Sequence, residues 1–146
     1  MKMLDYKYSV VQYFQWLQRV VDFAKKEYGA EVELLAEEDA FIYEYKRKKV
    51  VVKGNTPPRD KLYILLHEVG HLSRIFENVS DSTFFMDKAH NRNIKEKTMT
   101  IMEEVLAWQK AEDIAKRLDI NIESDAWKRL ISKSMLKYIQ WINEEI

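Results

Sequence analysis

The sequence predicts an α+β domain dominated by helices. Apolar residues recur every three or four positions over four long stretches. In a short central region that recurrence shortens to two. Little interrupts these patterns, with 3 Gly and 2 Pro in 146 residues. The predicted order is an N-terminal helix, a three-stranded antiparallel sheet, two central helices and a C-terminal helix.

The first helix is expected over Val10–Tyr28, where Val10, Phe14, Leu17, Val21, Ala24 and Tyr28 alternate spacings of four and three along one face. Gly29 supplies its stop. Beyond it, Val32, Leu34 and Ala36 alternate with Glu31, Glu33 and Leu35, while Phe41-Ile42-Tyr43-Glu44-Tyr45 and Val50-Val51-Val52 are aromatic and β-branched runs. The polar turns Glu37-Glu38-Asp39 and Lys46-Arg47-Lys48 separate them, as in an antiparallel meander.

Gly54-Asn55-Thr56-Pro57-Pro58 reads as a turn and a helix start, because Pro suits the first helical turn and its predecessor resists helical geometry. The helix Pro58–Phe76 would pack through Leu62, Leu65, Leu66, Val69, Leu72 and Phe76. Residues 77–93 lose the periodicity and gather Asn, Ser and Asp, which predicts a long and potentially functional loop. A third helix is expected over residues 94–118 and a fourth over Ser124–Asn143, with Ser124 as its N-cap.

A chain that is 47% hydrophobic, with 4 Trp, 8 Tyr and 6 Phe, has enough apolar mass for one cored domain over residues 1–146. No repeat or low-complexity segment divides it. The formal charge of zero argues against a nucleic-acid partner. With no Cys, disulfides and thiolate zinc sites are excluded, so a transition metal must use His and carboxylates. The N-terminus lacks the apolar stretch of a signal peptide, and no apolar run is long enough for a membrane span, so the expected location is cytoplasmic.

The chemistry is carried by His67-Glu68-Val69-Gly70-His71. Two His at i and i+4 project from the same helix face about one turn apart and can grip one zinc ion. Glu68, rotated about 100° around the axis, can reach an activated water without being a ligand, as a general base must. Gly70 permits close approach of a neighbouring element.

A catalytic zinc usually has three protein ligands and one position for water. In the third helix Ile101, Glu104, Trp108, Ala111, Ala115 and Leu118 form one stripe, in which Glu104 is the only charge. A carboxylate in an apolar seam requires a cation, either a metal or a basic side chain from another helix. Glu103, about 100° away, reads more easily as solvated. Glu77 lies six residues beyond His71, the metzincin spacing, but Arg74 stands where that pattern has Gly. His90, in the loop, is the remaining alternative, as a ligand or as a hydrogen-bond donor to the oxyanion.

With these residues identified, the chain resembles the gluzincin-type zinc metallopeptidases, in which HExxH on one helix is completed by a Glu on a following helix, often within E-x-x-A. Glu104-Val105-Leu106-Ala107 matches that second element. The element order is similar to that of the small ImmA/IrrE-like and phage-encoded peptidases. Their pattern often has Asn or Asp where this chain has Trp108.

The resemblance implies a minimal zincin fold with His67, His71 and Glu104 as zinc ligands and Glu68 as catalytic base, acting on a peptide or protein substrate. It also implies that an edge strand beside the metal pairs with extended substrate; Lys49–Lys53 would be that strand, unless it is a plain core strand. Two other expectations compete with hydrolysis. One is a zinc-binding regulatory protein that sequesters a partner without cleaving it. The other is a metal-free helical module presenting Trp16, Trp127 and Trp141, although tryptophans at helical spacing more often belong to the core.

Overall fold

A computed structural model describes residues 6–35, 49–53, 56–77 and 93–144. Its elements run α1 (Val10–Tyr28), β1 (Glu31–Leu35), β2 (Lys49–Lys53), α2 (Pro58–Phe76), α3 (Ile94–Arg117) and α4 (Ser124–Asn143). The four helices match the sequence periodicity. Local chemistry fixes several of their ends. Ser9 Oγ accepts a hydrogen bond from Gln12 N at 3.1 Å, and Asn93 Oδ1 accepts one from Glu96 N at 2.8 Å. At the end of α1, Gly29 adopts φ 65°, a left-handed conformation that lets the N–H groups of Gly29 and Ala30 close on the carbonyls of Lys25 and Ala24.

Among the described residues the expected three-stranded antiparallel sheet is not formed. The described residues are mainly helical, and β1 and β2 pair directly with each other in parallel, Glu31 opposite Lys49 and Leu35 opposite Lys53. In a meander the first and third strands each bond to the second instead. Direct pairing leaves no place for a strand between them. A parallel pair needs a connection of about a dozen residues or more, which residues 36–48 provide. The expected strand at 41–45 and both polar turns lie outside the described residues.

The core is a helical one, with α2 at its centre between α1 and α3. Leu62, Leu65, Leu66, Val69 and Leu72 are fully buried, each stabilising by about 1.5–3 kcal/mol on transfer from water. Helix α2 is buried on nearly every side from Lys61 to Gly70, Ile64 being the partly exposed position.

The face that α1 buries differs from the expected one. Tyr13, Trp16, Leu17, Val20, Phe23 and Ala24 pack inward, whereas Val10 and Phe14 are 54% and 46% exposed. Tyr13 and Trp16 take the inward face because they pack edge to face with each other and with Tyr8. Trp16, Trp127 and Trp141 are all buried, as core residues rather than a partner-facing surface.

A polar latch ties the N-terminal segment, α1, α2 and the start of α4 together. Glu123 accepts hydrogen bonds from Tyr13 Oη, from Lys7 N at 2.9 Å and from Arg59 Nη1 at 2.7 Å. Its own N–H donates to Tyr63 Oη at 2.9 Å. Burial opposes ionisation of Glu123, but Tyr13 and Arg59 outweigh it and hold the carboxyl below its ordinary range. Glu123 rather than Ser124 is therefore the N-cap residue of α4: its carbonyl accepts from Trp127 N while its side chain serves the latch. No helix among the described residues is long and apolar enough to cross a membrane.

Candidate metal centre

Two helices supply the centre, and a glycine sets their separation. An ideal Cβ on Gly70 would stand 2.3 Å from Ala107 O and 3.2 Å from Ala111 N, so α2 and α3 touch backbone to backbone at this crossing. His67 and His71 lie one turn before Gly70 and immediately after it on α2. Glu104 lies one turn before Ala107 on α3. The close crossing therefore brings the three side chains to one point. Their ligand atoms lie within 4.8 Å of one another, and all three residues are buried.

Both imidazoles present Nε2 to Glu104 Oε2, His67 at 2.8 Å and His71 at 3.1 Å. The His67 atom is out of line for a hydrogen bond, and Nε2 of His67 has no hydrogen-bond partner among the described residues. A buried imidazole nitrogen without a hydrogen-bond partner, beside a carboxylate oxygen and a second imidazole, is the donor set of a His2Glu metal site. The residues thus fit a metal ion on chemistry and position alike.

The surroundings orient each ligand. Trp108 stacks on the His67 ring at 4.0 Å and 5°. The outer nitrogen of His71, Nδ1, lies 3.4 Å from Glu103 Oε2, an ion-pair distance longer than an aligned hydrogen bond. Glu103 is in turn gripped by Arg74, whose Nε and Nη2 both donate to it at 2.9 Å. A carboxylate behind a ligand His fixes the ring so that its other nitrogen faces the metal. This corrects the expectation for Glu103: it is 5% exposed, paired rather than solvated.

Tyr138, from α4, donates its hydroxyl to Glu104 Oε1 at 2.8 Å. Sequence reasoning did not single it out. A signal existed, since Tyr138 continues the stripe Trp127, Ile131 and Met135 at helical spacing.

Electrostatics follow from burial. Burial opposes a charged His71, but Glu104 and Glu103 outweigh it and raise its pKa to about 9. Burial also opposes ionisation of Glu104, yet positive charge at His71 and the contacts of both imidazoles hold its carboxyl well below the usual range. For Glu68 burial wins: it pushes the carboxyl upward against the pull of His67 and His71. Glu68 Oε1 lies 3.6 Å from His67 Nδ1.

Of the other sequence candidates, Glu77 is not brought to the centre. It sits exposed at the end of α2, with its carboxylate 2.7 Å from Lys110 Nζ and accepting from Ser73 Oγ at 3.2 Å. His90 lies outside the described residues. The class defined by fold and site is a mainly helical domain with a buried His67, His71 and Glu104 group able to hold a metal ion. No protein-family model, curated protein or solved structure matches the chain.

Proposed function

We propose that this chain is a zinc-dependent hydrolase, a metallopeptidase of gluzincin type acting on a specific intracellular protein or peptide. The observation that carries the reading is the convergence of His67, His71 and Glu104, with a buried carboxylate, Glu68, beside the first ligand on the same helix. The donor set favours zinc: with no Cys, two imidazoles and one carboxylate make the borderline site in which zinc keeps a position for water. A cysteine-free chain needs no oxidising compartment, and the cytoplasm is the location we propose.

When bound, zinc supplies Lewis-acid polarisation of a scissile carbonyl and acidifies water. The chain's own residues do the rest. Glu68, its affinity for a proton raised by burial, accepts a proton from the attacking water and delivers it to the leaving amine. Trp108 and Glu103 keep the imidazoles aimed at the metal while the charge changes.

Zinc content and peptide cleavage measured on wild-type and Glu68→Gln proteins test this reading. The zinc-loaded wild type should cut members of a diverse peptide library, read by mass spectrometry, while Glu68→Gln retains zinc and loses cleavage by roughly a hundredfold or more. Equal cleavage by both proteins would refute Glu68 as the base. Stoichiometric zinc without any cleavage would favour a zinc protein that acts by binding its partner.

A further inference from the structure

We propose that Tyr138 is a positioning residue for Glu104, holding one carboxylate oxygen so that only the other is presented to the metal. The proposal rests on the metal reading above and goes beyond it by bringing α4 into the site.

The two oxygens of Glu104 have separate partners. Oε1 accepts the Tyr138 hydroxyl at 2.8 Å. Oε2 faces both imidazoles, at 2.8 and 3.1 Å. A carboxylate held in this way binds through one oxygen. Two imidazoles and one oxygen make three ligands and leave a fourth tetrahedral position for water. Were Oε1 released to turn toward the metal, the carboxylate would occupy two positions and compete with that water.

The placement of Tyr138 is built into the fold. Helix α4 is seated at both ends: Trp127 packs edge-on against Tyr63 and Trp108, each at 5.1 Å. Near the other end, buried Lys97 donates to Trp141 O at 3.0 Å and lies 5.0 Å over the Trp141 ring. Tyr138 precedes Trp141 by three residues, so the same anchoring delivers its hydroxyl to Glu104. The phenol suits the task because its hydroxyl donates one hydrogen bond in a fixed direction set by the ring.

Cobalt(II), whose visible spectrum reports coordination number, provides the test. Wild-type protein loaded with Co2+ should give the intense bands of a four-coordinate site. Tyr138→Phe, which keeps the ring and removes the hydroxyl, should give the weaker bands of higher coordination and bind zinc about 10–100-fold less tightly. The control is Tyr13→Phe, which removes a comparable phenol–carboxylate hydrogen bond, to Glu123, away from the metal centre and should leave the spectrum unchanged.

An identical spectrum and affinity in Tyr138→Phe would overturn the positioning role. A Tyr13→Phe change as large as that of Tyr138→Phe would overturn it as well, by assigning the effect to the general loss of a buried phenol hydrogen bond rather than to Glu104. Failure of the wild type to take up Co2+ or Zn2+ would instead overturn the metal reading, and this proposal with it.

Discussion

Substituting Gly70 with alanine sets two effects against each other. In an ordinary exposed helix the change stabilises by about 0.8–1.0 kcal/mol, because Ala is the better helix former. At Gly70 the added Cβ would meet Ala107 O at 2.3 Å, against an ordinary contact beginning at 3.4 Å. The obstacle is helix backbone, so no rotamer change relieves it; α2 and α3 must move apart by about 1 Å.

Overpacking of this kind typically costs about 1–3 kcal/mol, and the rigidity of the contact places it at the upper end. After the propensity gain, a net loss of about 2 kcal/mol is expected, or a fall in Tm of about 4–8 °C for a domain of this size. The same movement would separate Glu104 from His67 and His71, whose present distances of 2.8 and 3.1 Å leave little latitude. Thermal unfolding of metal-free protein, followed by circular dichroism, and zinc competition against a chromophoric chelator measure the two consequences. A Gly70→Ala protein with an equal or higher Tm and unchanged zinc affinity would refute the close-crossing argument.

Two further substitutions separate ligand from support and test the latch. Glu104→Ala should abolish stoichiometric zinc, whereas Glu103→Gln, which weakens the backing of His71 and the Arg74 fork, should lower zinc affinity about 10–100-fold while keeping one ion per chain; elemental analysis after dialysis distinguishes them, and the reverse pattern would exchange their roles. Glu123→Gln should destabilise the protein at neutral pH by about 2 kcal/mol, the scale of hydrogen bonds to a charged group. Because the folded-state pKa of Glu123 is depressed, its contribution is fully present above its ordinary value of 4.5 and is lost as pH falls through the folded value. The Tm gap between wild type and Glu123→Gln should therefore narrow below about pH 4.5, and a gap independent of pH would exclude this account.

What was legible in the sequence was what local chemistry decides. Helix periods, the Gly29 stop and the one-turn spacing of His67 and His71 are local, and α1 to α4 follow them closely. Glu104 was legible because it interrupts an apolar stripe, a conflict that a long-range partner has to resolve. The face of α1 was not. Val10 and Phe14 give a tidy stripe, but Tyr13 and Trp16 win through contacts with Tyr8 and the Glu123 latch. Strand pairing failed for a similar reason: alternation marks β1 and a β-branched run marks β2 as strands, and neither says which edge each meets. Glu103 was misread because its neighbour in space, Arg74, lies on another helix.

The charge arrangement at the centre explains why these features belong together. Three buried carboxylates, Glu68, Glu103 and Glu104, surround the two imidazoles, and Arg74 contributes one fixed positive charge through Glu103. Buried charge of one sign is costly, and the groups respond as electrostatics requires: His71 holds a proton up to about pH 9, and Glu68 resists ionising. A divalent cation held by His67, His71 and Glu104 would answer the same excess directly. It would displace the proton from His71, since a ligand imidazole must offer its lone pair, and its field would favour the ionised form of Glu68. The groups that a metal would rebalance are thus the ones assigned to bind it and to act beside it.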